Sequence, residues 1–116
     1  MSTTVRTPEE VFGHHGQALM AEKLEDIVAD YSDDAVLIVQ RKVYRGLDGV
    51  RQVFTQLLSE VPQARWEIDT VYADNVLYLE WKARSASSHI DDGIDTFIFR
   101  DGKIDVQTVR YTLQTG

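Results

Sequence analysis

Two titratable side chains stand among apolar ones, Asp95 and His15. Asp95 lies in the β-rich run Gly93-Ile94-Asp95-Thr96-Phe97-Ile98-Phe99, which leads into Arg100-Asp101-Gly102-Lys103. Asp-Gly between two such runs predicts a hairpin turn. Residues two apart on a strand share a face, so Asp95 shares the face of Phe97 and Phe99. A carboxylate among aromatics is costly to bury unless it is paired or protonated. Either that face is wet, or Asp95 is a tuned acid in a pocket. An ionised Asp95 bound by Arg, His or backbone N–H groups is the plainer alternative. His15 falls in the apolar stripe of a predicted helix with Phe12 and Leu19. A neutral imidazole donates one hydrogen bond and titrates near neutrality. Read alone, His15 is a buried histidine satisfied by a carbonyl. His14, about 100° further round the helix, is expected in solvent. His14, His15 and His89 offer no metal-ligand spacing, and HExxH is absent. No phosphate loop or nucleophilic triad stands out, so no metal and no cofactor are predicted.

The elements that must position these residues follow from periodicity. Thr7-Pro8-Glu9-Glu10 predicts a capping box and a helix to about Glu22, with Val11, Phe12, Ala18 and Leu19 on its apolar face. Leu24, Ile27, Val28 and Tyr31 predict a short second helix, stopped by Ser32-Asp33-Asp34. Ala35 to Gln40 reads as a strand and Arg41 to Tyr44 as a second, short one. After a turn at Arg45-Gly46, Asp48 is expected to cap a third helix carrying Val50, Val53, Phe54, Leu57 and Leu58, which Pro62 ends. From Ala64 the period becomes two. Strands over 64–72 and 76–85 flank a turn at Ala73-Asp74-Asn75. Leu77, Leu79, Trp81 and Ala83 should face the core, and Tyr78, Glu80, Lys82 and Arg84 the solvent or a partner. Residues 85–92 read as a polar connection. Helices followed by an antiparallel meander make an α+β layout with the helices on one sheet face.

The 116 residues suit one domain, taken as residues 1–116, large enough for a real core. No run of 18 apolar residues and no apolar leader are present, so neither a membrane span nor secretion by that route is predicted. The absence of cysteine excludes disulfides and thiolate chemistry and fits a reducing cytoplasm. A net charge of −7 argues against nucleic acid or anionic membrane as partner.

Three blocks, in order, carry a resemblance: Leu24-Glu25-Asp26-Ile27-Val28-Ala29-Asp30-Tyr31-Ser32-Asp33-Asp34-Ala35-Val36-Leu37, Tyr44-Arg45-Gly46-Leu47-Asp48-Gly49-Val50-Arg51-Gln52-Val53-Phe54 and Asp95-Thr96-Phe97-Ile98-Phe99-Arg100-Asp101-Gly102-Lys103-Ile104. With them the chain resembles the nuclear transport factor 2-like superfamily, in its SnoaL-like and ketosteroid isomerase-like branch. The resemblance implies a cone: three helices of the N-terminal half packed on a curved antiparallel sheet, with a pocket between. It also implies a homodimer through the outer sheet face, where Tyr78, Glu80, Lys82, Arg84, Arg110 and Thr112 would lie. A plain mixed-charge solvent face explains those residues equally well.

Asp95 aligns with the isomerases' strand Asp that hydrogen-bonds the steroid oxyanion, and His15 with their helical Tyr, the other donor. The position of their general base is Val39, which cannot take a proton, so that mechanism is not implied. Tyr111 aligns with a pocket aromatic. Trp66 and Trp81 are expected in the pocket wall or, each taken singly, in plain core packing, Phe97 in the pocket wall, and Phe54 and Tyr44 at its mouth or in the core. The resemblance thus implies a SnoaL-like pocket protein for a hydrophobic carbonyl compound. Asp95 as acid and His15 as its partner would perform cofactor-free isomerisation, cyclisation or dehydration. A non-catalytic ligand-binding or dimerisation module is the alternative, and a protein-interaction scaffold a third.

Overall fold

A computed structural model describes residues 5–115. Helix α1 spans Pro8–Met20. Its capping box is closed in both directions, the Thr7 hydroxyl accepting from Glu10 N–H at 3.1 Å and the Glu10 carboxylate from Thr7 N–H at 2.8 Å. Helix α2 is Leu24–Val28 and α3 is Gly46–Glu60. The strands are β1 Tyr31–Val39, β2 Lys42–Arg45, β3 Arg65–Ala73, β4 Val76–Arg84, β5 Ser88–Arg100, β6 Lys103–Arg110 and β7 Gln114–Thr115. They form one sheet in the order β2-β1-β6-β5-β4-β3, with β7 paired to β5.

Alternation decides which face each residue takes. Leu77, Leu79, Trp81 and Ala83 of β4 are buried against the helices, as are Asp95, Phe97 and Phe99 of β5. Tyr78, Glu80, Lys82 and Arg84 face outward and are exposed. The helices cover the inner face through Val11, Phe12, Ile27, Val28, Val50, Phe54 and Leu57, which share one core with the strands. Register shifts in β4–β5 after Trp81, and in β5–β6 after Ile98, are bulges of the kind that bend a sheet. The result is the α+β cone expected from the sequence.

Four local expectations are corrected. Tyr31 opens β1 instead of closing α2, and Ser32-Asp33-Asp34 continues the strand. Its pairing with Ile104 of β6 outweighs the weak helical preference of so short a segment. That β1–β6 pair is parallel, so the sheet is not wholly antiparallel. Asp48 does not cap α3. The helix starts at Gly46, whose φ of +70° turns the chain, and Asp48 binds Arg51 at 2.8 Å. Ser88 to Asp92 belongs to β5, drawn into the sheet by Ile90, which is fully buried opposite Ala83.

A buried acid ties the ends of these layers together. Asp30, 1 % exposed, accepts from Arg6 at 3.0 Å and lies 2.7 Å from His14 Nδ1. The Arg6 guanidinium also donates to the Gly102 carbonyl at 2.9 Å in the β5–β6 turn. His14 is exposed, as expected, with its ring turned to Asp30.

Candidate functional site

Asp95 is delivered to the inner face by the middle of β5, opposite Leu79 on one side and Val109 on the other. Both its oxygens are held. Trp81 Nε1–H donates to Oδ1 and Gln107 Nε2–H to Oδ2, each at 2.9 Å. Trp81 reaches Asp95 because Gly93 faces it across the strand pair: a Cβ at Gly93 would lie 2.2 Å from indole carbons Cδ2 and Cε2. Glycine there is the condition for the indole to lie over β5. Gln107 is oriented in turn by Tyr31, whose hydroxyl donates to its Oε1. Burial, with Asp95 and Asp30 nearby, holds the Tyr31 phenol well above its ordinary 10, so it remains a donor. The relay is directional: Tyr31 to Gln107 to Asp95, met by Trp81 from the other side.

The donors favour the carboxylate, yet burial outweighs them and raises the Asp95 carboxyl from 3.8 to about 7. His15 moves the opposite way. Its ring is 3 % exposed among Phe12, Tyr31, Phe54 and Phe97, with centroids 5.4 to 5.9 Å away. Burial lowers its pKa from 6.5 to about 4, against the attraction of Asp30. The usual order of an aspartate and a histidine is therefore inverted. At neutral pH the imidazole is neutral while Asp95 exchanges its proton. Among the described residues, His15 Nδ1 is buried with no hydrogen-bond partner, an arrangement that calls for an explanation in a closed core.

Both side chains line one cavity of about 190 Å³. Phe12, Leu19, Val53, Leu57, Leu79 and Val109 make its walls apolar, and Phe54, Trp66, Trp81, Phe97 and Tyr111 make them aromatic. Its rim includes Gly16, Met20 and Ile68, the last two well exposed. Trp66, Trp81 and Tyr111 form a row with ring centroids 5.5 and 5.6 Å apart. Tyr111 is fixed by donating to Glu60 Oε1 at 2.6 Å. An apolar cavity of about 150 Å³ holds benzene, so this one suits a ring and a small substituent.

Asp95, His15, Phe54, Trp66, Trp81, Phe97 and Tyr111 therefore come together. Two expected residues do not join them: Val39 and Tyr44 line a neighbouring groove that shares Val53 and Tyr111 with the cavity. No hydrogen bond joins His15 to Asp95, whose oxygens face Trp81 and Gln107 instead. Gln107 and Gly93 were missed. Both carried a signal: a polar residue in register with inward Val109 and Tyr111, and a glycine inside a strand two residues before an inward acid.

A helix-covered, curved sheet with a cavity at the centre of its concave face defines the class, the α+β cone of the nuclear transport factor 2-like superfamily. The family model of the SnoaL-like domain matches residues 14–106, and the chain belongs to that family. An NTF2-like protein of unknown function from Cytophaga hutchinsonii ATCC 33406 is similar at TM-score 0.75 and 12 % identity, over 97 % of this chain and 95 % of that one. A ketosteroid isomerase-like protein from Kribbella flavida DSM 17836 is similar at TM-score 0.75 and 10 % identity, over 94 % and 80 %. The epoxide hydrolase/cyclase-like enzyme SalBIII, with a role in pyran ring formation in the polyether salinomycin, is similar at TM-score 0.78 and 15 % identity, over 94 % and 95 %. At these identities the likeness is one of fold. No curated protein matches the sequence significantly. Among the described residues no helix is long and apolar enough to cross a membrane.

Proposed function

We propose that this protein binds a small hydrophobic carbonyl compound in the cavity and moves a proton on it, in an isomerisation, cyclisation or dehydration that needs no cofactor. The observation that carries this is Asp95, a carboxyl in an apolar cavity, oriented by two donors and poised at about 7. An acid–base group is most effective when its pKa lies near the working pH. In its protonated form Asp95 donates to the ligand carbonyl. As carboxylate it takes the proton from the adjacent carbon and returns it elsewhere on the same molecule. The free Nδ1 of neutral His15 is the second polar contact the cavity offers. The volume of about 190 Å³ favours compounds of one ring or a short chain over a four-ring steroid.

The test is a panel of small ketones and enones incubated with wild type and Asp95→Asn, followed by NMR in deuterated water. Deuterium entering the carbon beside the carbonyl, and lost in the variant, is the expected result. Equal exchange in both proteins removes Asp95 from the chemistry. Binding without exchange supports the second reading, a ligand-binding module, which Val39 in the base position favours.

A homodimer through the outer sheet face belongs to the same proposal. Ile38, Val43, Val71, Tyr78 and Ile94 are exposed there among Lys82, Arg84 and Arg110. Charge reversal at Arg84 and Arg110 should give a monomer in light scattering, and an unchanged mass, or a monomeric wild type, rejects this face.

A further inference from the structure

We propose that the groove behind Tyr111 is a second subsite, which receives the carboxylate-bearing tail of the ligand whose carbonyl end occupies the cavity. This rests on the cavity reading above and adds the class of ligand: an apolar ring or chain with a ketone at one end and an acid at the other.

The groove, about 210 Å³, is lined by Val39, Gln40, Lys42, Tyr44 and Gln56, together with Val53 and Tyr111. Val53 and Tyr111 also line the cavity. The two spaces thus share a wall of two side chains. One space is apolar and ends at Asp95. The other offers two carboxamides, a phenol and an ammonium group. Val53 and Tyr111 are the side chains common to both, and the tail passes between them to reach the groove.

Among the described residues, one charged side chain lines the groove, that of Lys42. Lys42 Nζ stands 5.2 Å over the Tyr44 ring and makes no ion pair among the described residues. The acid on the same side, Glu60, lies outside the groove lining and is turned to neutral donors, with Oε1 accepting from Tyr111 and Oε2 from Gln56 at 3.0 Å. Arg51, further along α3, is held by Glu25 and Asp48. Lys42 is thus the cation that the groove lining presents to a ligand.

The backbone fixes the groove's edge. The β1–β2 turn is made by Gln40 and Arg41, both left-handed at φ 51° and 76°. Tight hairpins of this kind favour Asn-Gly, and longer side chains adopt the conformation at a cost. Strain that the surroundings hold in place clusters at ligand clamps. Here Gln40 N–H is pinned to the Val109 carbonyl at 3.0 Å, two residues before Tyr111. The strained turn therefore sets the Gln40 and Lys42 side chains on the groove's edge.

Calorimetric titration of the whole protein decides the matter. The probes are acetophenone and its para-substituted acids 4-acetylbenzoate, 4-acetylphenylacetate and 3-(4-acetylphenyl)propionate, whose tails lengthen one methylene at a time. One length should bind about tenfold tighter than acetophenone, the scale of a single charge-assisted hydrogen bond. Lys42→Met should abolish that gain and leave acetophenone where it was, since Lys42 is exposed and outside the cavity. If no tail improves binding, or the gain survives Lys42→Met, the subsite is wrong while acetophenone binding still upholds the cavity. If acetophenone itself does not bind, the cavity reading fails and the subsite with it.

Discussion

Replacing Asp95 by Asn should change how stability depends on pH, by an amount the burial of this one carboxyl sets. In the folded protein its pKa is about 7, against 3.8 for an ordinary aspartate. The folded pKa is the higher, so the contribution is complete below about pH 3.8 and is lost as pH rises through about 7. Each pH unit in that window is worth about 1.4 kcal/mol. Wild type should therefore lose about 2.5 kcal/mol between about pH 5 and about pH 8 through Asp95. His15 opposes this. Its folded pKa of about 4 lies below its ordinary 6.5, so its penalty is felt in acid and disappears towards neutrality. That returns about 2 kcal/mol over the same interval. The two nearly cancel, and wild type alone should look almost insensitive to pH. The difference between wild type and Asp95→Asn removes the histidine term.

The new carboxamide has one acceptor where the carboxylate had two. The relay can adapt, because Gln107 can turn its amide over and Tyr31 can accept instead of donating. Urea titrations of both proteins at about pH 5 and about pH 8 should show the variant gaining about 2.5 kcal/mol on wild type. A difference independent of pH means Asp95 is ionised throughout. The same flat difference follows if the donors of Trp81 and Gln107 outweigh burial, because a pKa below 3.8 changes stability only in more acid solution. That result ends the argument for a poised acid.

Gly93→Ala should displace the Trp81 indole and cost about 1–3 kcal/mol, the usual range for overpacking; unchanged tryptophan fluorescence together with unchanged stability contradicts the close approach seen here. Tyr31→Phe leaves Gln107 Oε1 buried without its donor, with an expected loss of about 1–3 kcal/mol. A loss well below that in thermal unfolding means water or a turned amide satisfies Gln107. Arg6→Ala should cost about 1–2 kcal/mol, below the ~3–5 kcal/mol of a fully buried pair because Arg6 is partly exposed and His14 remains. Arg6→Lys should recover part of it, and equal melting temperatures for all three proteins would show that Asp30 does not depend on this partner.

What was legible in the sequence was what alternation and capping encode locally. Thr7 to Glu10 announced α1, the alternation from Val76 announced β4, and Asp101-Gly102 announced the β5–β6 hairpin. The inward direction of Asp95 followed from Phe97 and Phe99 by period two. The failures share a cause in pairing between distant segments. Tyr31 satisfies helical spacing, and contact with Ile104 makes it a strand residue. Residues 88–92 look polar enough for a loop, and Ile90 opposite Ala83 makes them sheet. The site divides in the same way. That Asp95 and His15 enter one cavity was readable from their stripes. That they do not touch was not, because it depends on Trp81 and Gln107 arriving first.

The position of β6 bears on how the chain is made as well as on how it is built. It lies between β1 and β5, although it is synthesised after both. While a ribosome is still producing residues 1–102, the β1–β2 ribbon and the β3–β4–β5 meander cannot join. Each then shows an unpaired edge, the feature that recruits wrong partners. Lys103–Arg110 closes both edges in one step and brings Gln107 to Asp95 in the same step. A nascent chain halted before Lys103 should therefore depend on chaperones and lack the poised acid, and eight further residues would supply the strand that joins the two halves.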